Sequence, residues 1–115
     1  FEKNIKKLMG SKFAIGVGNG TDALYLVLKS LDIGNGDEVI TTPFTFIATV
    51  ASISTAGAKP VFVDVDENNW CINLESIKNA ITSKTKAIIA VDIYGRNTQR
   101  GDFNLVNVPS CNGPK

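Results

Sequence analysis

The chain has 115 residues, 43% of them hydrophobic, and its charged groups nearly cancel at a formal net charge of +1. This length fits one ordinary domain or part of a larger one, and the apolar fraction is high enough for a packed core. No histidine is present, which excludes Ser-His-Asp and Cys-His catalysis and the usual catalytic zinc sites. Cys71 and Cys111 are too far apart in sequence to form a metal knuckle or a redox motif.

Three further classes of protein are disfavoured by the same arithmetic. The near-zero charge gives no basic footprint for nucleic acid. The longest apolar run, Ala87 to Val91, is far shorter than the roughly 20 residues that span a bilayer. No basic stretch followed by an apolar one opens the chain, so no signal peptide is expected. We therefore expect a cytoplasmic protein that binds neither nucleic acid nor membrane.

Helical and extended patterns alternate along the first 95 residues. In chain order they predict a helix over Phe1–Met9, a strand over Phe13–Val17, a helix over Thr21–Leu31, a strand over Glu38–Thr42, a helix over Thr45–Ala56, a buried strand over Pro60–Val65, a helix capped by Asn73 and a strand over Lys86–Ile93. Nearly continuous apolar strands separated by helices are typical of a mostly parallel sheet covered on both faces. The predicted fold class is α/β, with a three-layer α/β/α architecture.

The composition changes near residue 95. Arginine is absent before Arg96, and residues 96–115 are rich in Asn, Gly and Pro without a sustained helical period. We expect residues 1–95 to form one structural unit and residues 96–115 to form a divergent, irregular tail.

The segment from Gly16 to Ala23 carries the most informative chemistry, because its glycines lie between a predicted strand and a predicted helix. Such a turn brings backbone N–H groups of a helix N-terminus close to a phosphate. A dinucleotide fingerprint is a weak match, since Thr21 replaces its third glycine, and a Walker A loop is excluded by the missing Gly-Lys-Ser/Thr. A plain glycine turn with a capping Thr or Asp remains an equally simple interpretation.

Other candidate residues follow the predicted strands. Phe44 and Phe46 come after one strand and would face a ligand at the carboxyl edge of the sheet, although core packing is the more common role of a lone aromatic residue. Asp92 and Tyr94 follow the last strand, where capping or packing explains them equally well. The acidic residues Asp64, Asp66 and Glu67 lack further oxygen ligands in sequence and are read as a solvated turn, so no metal site is predicted.

Taken together, six blocks of sequence resemble the DegT/DnrJ/StrS-type sugar aminotransferases over roughly residues 1–95. The blocks are Gly18-Asn-Gly-Thr-Asp-Ala-Leu24, Gly36-Asp-Glu-Val-Ile40, Thr42-Pro-Phe-Thr-Phe-Ile-Ala-Thr49, Gly57-Ala-Lys-Pro-Val-Phe-Val-Asp64, Thr85-Lys-Ala-Ile-Ile89 and Tyr94-Gly95. The resemblance implies a pyridoxal-phosphate (PLP) enzyme with the aspartate aminotransferase fold, of which residues 1–95 would be part of the large, PLP-binding domain.

The resemblance also implies roles for particular residues. Gly20, Thr21 and Asp22 would hold the cofactor phosphate, and Phe46 would stack on the pyridine ring. Enzymes of this family form homodimers and move an amino group, usually from glutamate, to a keto group of a nucleotide-linked sugar.

The family's Schiff-base lysine and the aspartate that pairs with the pyridine nitrogen lie beyond residue 95. None of Lys59, Lys84 and Lys86 matches the lysine position. We therefore expect a fragment of such an enzyme that contains no catalytic residue and is inactive alone. The alternative is an inactive truncated paralogue that serves as a binding or interaction module.

Overall fold

The computed structural model describes residues 1–96, Thr98 and the backbone of Val106–Asn107. Helices and strands alternate in this part of the chain. The elements are α1 (Glu2–Met9), α2 (Gly20–Ser30), β1 (Glu38–Thr41), α3 (Ile47–Ala56), β2 (Lys59–Phe62), α4 (Leu74–Ala80), β3 (Thr85–Ile88), a short 3-10 turn (Ile93–Gly95) and β4 (Val106–Asn107). None of the helices in the described part is long and apolar enough to cross a membrane.

The helix ends follow local sequence signals. The side chains of Asn19 and Asn73 accept hydrogen bonds from backbone N–H groups in the first turns of α2 and α4, as expected of asparagine caps. Helix α3 ends at Gly57, whose φ of 93° belongs to the left-handed region that favours glycine. Local chemistry alone therefore determines where these helices start and stop.

The strands form one parallel sheet in the order β2-β1-β3-β4. The chain passes from β1 to β2 on one side and then returns to place β3 on the other side of β1. Between β1 and β3 the direction of strand addition therefore reverses. Open parallel α/β sheets bind ligands at such a reversal, beyond the carboxyl ends of the strands.

Helices cover both faces of this sheet, which confirms the predicted three-layer α/β/α architecture. On one face, α2 and α3 pack against Val39, Ala87 and Ile89. On the other face, α4 packs against Ile40 and Ile88. Adjacent residues of each strand point to opposite faces, so each strand supplies both cores, and this explains why its sequence is continuously apolar.

Three of the predicted strands differ from the observed ones. The predicted strand Phe13–Val17 is wrong: this segment is irregular and pairs with no strand among the described residues, and Phe13 and Ile15 are exposed. A short apolar run becomes a strand only where a neighbouring strand completes its hydrogen bonds, and the segment reaches none.

The prediction of a fully buried strand over Pro60–Val65 is also corrected. Strand β2 covers Lys59–Phe62 at the edge of the described sheet, and none of its residues is fully buried. Proline at an edge position sacrifices no ladder hydrogen bond. The predicted strand Lys86–Ile93 ends early, at Ile88, because the chain then turns away at the carboxyl edge.

Residues 96–115 lie mostly outside the described residues, so the predicted irregular tail stays a prediction. Within this range the backbone of Val106–Asn107 forms β4, which pairs in parallel with Ala87 and Ile88 of β3.

Candidate functional site

A pocket of about 460 Å³ opens at the carboxyl edge of the sheet, where the order of β1 and β3 reverses. Its walls come from the first turns of α2, the start of α3 and the segment that follows β3. The lining residues are Gly20, Thr21, Leu24, Thr45, Phe46, Ala48, Thr49, Ile89, Ala90, Val91, Asp92, Ile93 and Tyr94. The volume lies in the range of sites for small molecules and cofactors.

The N-terminus of α2 supplies hydrogen-bond donors to this pocket. Asn19 Oδ1 accepts the N–H of Asp22 at 2.9 Å, and this completes the cap. The N–H groups of Gly20 and Thr21 have no acceptor among the described residues, because the first turn of a helix offers none. Two donors and the positive end of the helix dipole are therefore available to an anion in the pocket.

A hydroxyl on α3 ties this first turn to the neighbouring helix. Ser52 is buried, and its Oγ lies 3.2 Å from the carbonyl oxygen of Thr21 and 2.7 Å from that of Ala48. Since the hydroxyl carries one proton, the two carbonyl groups share it. The contact holds the α2 N-terminus at a defined distance from the start of α3.

Phe46 stands immediately before α3, in an extended backbone conformation with φ of −71° and ψ of 144°. Its ring is 76% exposed although the residue lines the pocket. An exposed aromatic ring beside a concave surface has a free face on which a planar ligand can stack. The interpretation of Phe46 as a core residue is therefore wrong.

The segment after β3 closes the opposite wall with Asp92 and Tyr94. Asp92 is only 8% exposed, and its Oδ1 accepts the N–H of Thr98 at 2.8 Å. Tyr94 is exposed and has a φ of 52°, which is uncommon for a bulky residue. Both residues were candidates from sequence, and both line the pocket.

Three of the four residues predicted for the cofactor therefore line one pocket: Gly20, Thr21 and Phe46. Asp22 does not line it. Its carboxylate accepts a hydrogen bond from Asn19 Nδ2 at 3.0 Å, so the side chain reinforces the cap of α2. An Asp at the third position of a helix also interacts favourably with the helix dipole.

The sequence reasoning missed Thr45, Thr49 and Ser52. The hydroxyl groups of Thr45 and Thr49 lie 2.8 Å apart at the pocket wall. The spacing of hydroxyl residues by three and four positions at the start of a predicted helix was the available signal. It was overlooked because the apolar residues of this helix dominate its pattern.

The predicted solvated turn of acidic residues has a structural role in which Asp66 is central. Asp66 Oδ1 accepts the N–H groups of Asn68 and Asn69 at 2.9 and 3.2 Å. No group of three candidate metal ligands lies together in the described part of the chain.

At the amino edge of the sheet, away from the pocket, Glu38 is the residue with a shifted pKa. The hydroxyl of Thr82 donates to its carboxylate at 2.7 Å, which lowers the pKa most strongly. Partial desolvation opposes this shift, whereas the ammonium groups of Lys59, at 3.3 Å, and Lys84 lower the pKa further. The cluster joins β1 to β2 and to the start of β3.

The family model described as the DegT/DnrJ/EryC1/StrS aminotransferase family matches residues 1–104. The chain is 43% identical over 106 residues to the UDP-2-acetamido-2-deoxy-3-oxo-D-glucuronate aminotransferase of Pseudomonas aeruginosa, covering 92% of this chain and 29% of that protein. It is 44% identical over 106 residues to the dTDP-3-amino-3,6-dideoxy-alpha-D-galactopyranose transaminase of Aneurinibacillus thermoaerophilus, with coverage of 92% and 29%.

Among solved structures, NtdA from Bacillus subtilis with the bound cofactor PMP superposes with a TM-score of 0.83. The sequences are 34% identical, and the match covers 85% of this chain and 22% of that one. The chain thus spans less than a third of the length of these relatives. PMP is the amine form of PLP, and the family and structural matches identify PLP as the cofactor.

Proposed function

Because the chain belongs to the DegT/DnrJ/EryC1/StrS aminotransferase family, we propose that it forms the phosphate-binding and ring-stacking part of an aminotransferase acting on a nucleotide-linked keto sugar. The printed names of the Pseudomonas and Aneurinibacillus relatives identify them as aminotransferases of UDP- and dTDP-linked sugars, which supports this substrate class. Residues 1–95 would be part of the large, PLP-binding domain. The amino donor proposed is glutamate, and the working protein is proposed to be a cytoplasmic homodimer.

The observation that carries this proposal is the pair of N–H donors at the start of α2. Gly20 and Thr21 line the pocket, and their N–H groups lack acceptors among the described residues. A phosphate monoester has several acceptor oxygens and negative charge, so it complements both the donors and the helix dipole. The side chain of Asp22, turned toward Asn19, assists by holding this first turn in place rather than by touching the phosphate.

The pocket also fits the planar part of the cofactor. Phe46 presents a free aromatic face at the wall of a pocket of about 460 Å³. When bound, the pyridine ring supplies an electron sink for chemistry at the amino-bearing carbon. In the proposed arrangement Phe46 orients the ring by stacking, and the α2 N-terminus anchors the phosphate.

No lysine lines the pocket in the described part of the chain. The residues that surround it bind and orient, but none is a nucleophilic amine suited to covalent catalysis. We therefore propose that these 115 residues bind the cofactor without catalysing transamination. Measurable turnover of a keto sugar by the purified chain would contradict this part of the proposal.

The binding proposal is tested with PMP, because PMP has no aldehyde and does not react with surface lysines. Calorimetric titration of the purified chain is expected to show saturable PMP binding, and pyridoxamine, which lacks the phosphate, is expected to bind much more weakly. Phe46→Ala is expected to weaken PMP binding by roughly fivefold, whereas Phe46→Tyr retains it, because aromatic pairs contribute about 0.5–1.5 kcal/mol.

Phe13→Ala is the matched control, because Phe13 is also exposed but does not line the pocket. Equal affinity for PMP and pyridoxamine would refute the phosphate site. A folded chain with no affinity for PMP would favour the alternative of a binding or interaction module.

A further inference from the structure

A second concave surface adjoins the pocket and has no part in the proposed cofactor site. It is a groove of about 320 Å³ lined by Phe44, Trp70, Tyr94 and Arg96, here called the aromatic groove. The Phe44 and Trp70 rings pack with their centroids 5.5 Å apart at an interplanar angle of 40°. Trp70 is 49% and Tyr94 85% exposed, so the groove combines accessible aromatic surface with one guanidinium group.

The turn that carries Trp70 is held by several hydrogen bonds. Trp70 has a φ of 62°, which is uncommon for a bulky residue. Its N–H donates to the carbonyl oxygen of Asp66 at 2.9 Å, and the next N–H, of Cys71, donates to Asn69 Oδ1 at 2.8 Å. Trp70 and Tyr94 are two of the three described non-glycine residues with positive φ, and both line the groove. Strained backbone of this kind concentrates at ligand sites.

Arg96 is tied to the same turn from the other side of the groove. Its Nη1 donates to the carbonyl oxygen of Asn68 at 3.1 Å, and its own carbonyl oxygen lies 3.6 Å from Cys71 Sγ. A guanidinium group has five N–H donors in a planar fork, and this contact uses one nitrogen. The remaining donors can pair with an anion at the edge of the groove.

We propose that the aromatic groove binds the nucleoside diphosphate part of the sugar nucleotide, with the base against the aromatic rings and the diphosphate at Arg96. The inference rests on the proposed function, because it assigns a place to the carrier of the proposed substrate. Tyr94 lines both the groove and the pocket, so one elongated molecule can occupy both spaces. The nucleotide then stays outside while the sugar reaches the cofactor.

The chemistry of the groove favours this occupant over a bare sugar or a simple anion. Planar bases gain stacking energy on aromatic side chains, and phosphates pair with guanidinium groups. A lone arginine gives a weak site for an anion by itself, whereas the aromatic surface adds an independent contribution. The expected ligand therefore carries both a planar ring and a phosphate.

Trp70 is the sole tryptophan of the chain, so its fluorescence reports directly on the groove. The experiment titrates the purified chain with UDP, uridine and inorganic pyrophosphate, without PLP or PMP. UDP is expected to quench the fluorescence saturably, and uridine to do so at roughly tenfold higher concentration. Pyrophosphate alone is expected to cause little quenching, because it cannot stack.

Two variants separate the contributions of stacking and charge. Phe44→Ala is expected to weaken the binding of UDP and of uridine alike by roughly tenfold, since base stacking contributes about 1–3 kcal/mol. Arg96→Gln is expected to weaken UDP binding while leaving uridine binding unchanged. Phe13→Ala, a change at an exposed phenylalanine outside the groove, is expected to leave both affinities unchanged.

Absence of quenching by UDP and dTDP at millimolar concentration would overturn the inference. So would pyrophosphate that binds as well as UDP, or an equal loss of UDP affinity in Phe13→Ala. The result is separable from the test of the cofactor site. PMP binding that survives without nucleotide binding refutes the aromatic groove alone, and loss of PMP binding with intact UDP binding refutes the cofactor site alone.

Discussion

The buried hydroxyl of Ser52 bridges the carbonyl oxygen of Thr21, at 3.2 Å, and that of Ala48, at 2.7 Å. This contact links the two helix starts that carry the proposed phosphate donors and the proposed stacking ring. Thr21 lies in the first turn of α2, and Phe46 stands immediately before α3. One hydroxyl therefore helps to set the distance between the two parts of the cofactor site.

Replacing Ser52 with alanine is expected to destabilise the fold by about 1 kcal/mol, because a buried hydrogen bond is lost. It is also expected to weaken PMP binding severalfold, since the α2 N-terminus loses its tie to α3. Urea denaturation and PMP titration measure the two effects, and Ser54→Ala, at an exposed position of α3, is the control. Lower stability with unchanged PMP affinity would show that Ser52 does not position the site.

Replacing Thr21 with valine tests the contribution of its hydroxyl to phosphate binding. The change preserves the shape of the side chain and the backbone N–H. We expect PMP affinity to fall by roughly tenfold, because hydrogen bonds to charged groups contribute about 1.5–3 kcal/mol. Thr21→Ser should retain most of the affinity. Thr55→Val, at an exposed position of α3, should have no effect, and an equal loss there would contradict the prediction.

Asn19 is predicted to stabilise α2 through its cap. Asn19→Ala removes the acceptor of the Asp22 N–H and should cost about 1 kcal/mol of stability. Asn19→Ser, which keeps a capping oxygen, should recover most of this loss. Thermal unfolding followed by circular dichroism provides the measurement. If the alanine and serine variants were equally destabilised, the role of the cap would have to be abandoned.

Glu38 should make stability depend on pH in the acidic range. Its pKa is lower in the folded state, chiefly because Thr82 donates a hydrogen bond, so its stabilising contribution is present above the unfolded pKa and is lost as pH falls through the folded value. Glu38→Gln should therefore be less stable than the wild type near pH 7.

The gap in stability between Glu38→Gln and the wild type should close as the pH falls below about 4, where glutamate becomes protonated. Urea denaturation at neutral and acidic pH checks this expectation. Thr82→Val should reduce the pH dependence in the same direction, because it removes the hydroxyl donor. A gap that widened on acidification would show that the sign of the assignment is wrong.

Much of this fold was predictable because the signals are local. The Asn73 cap, the Gly57 stop and the apolar period of α2 each depend on residues within a few positions of one another. The continuously apolar strands β1 and β3 correctly indicated a sheet buried on both faces. The resemblance of six sequence blocks then identified the family, which the family match confirms.

The failures occurred where a segment's state depends on distant partners. Phe13–Val17 has strand-like composition, but no neighbouring strand pairs with it in the described part of the chain. Lys59–Phe62 has the composition of a buried strand, yet it lies at the edge of the described sheet. Local composition indicates that a segment is able to extend, whereas pairing and burial are tertiary properties.

The sequence by itself therefore determined the helix ends, the alternation of helices and strands and the family, since all of these are encoded in short stretches. Tertiary structure decided which residues share the pocket: Thr21 and Tyr94 are distant in sequence and meet because β1 and β3 end at the same edge of the sheet. It also turned Asp22 toward Asn19 and brought Trp70 and Arg96 into one groove. Such contacts depend on the three-dimensional path of the backbone, which no local pattern specifies.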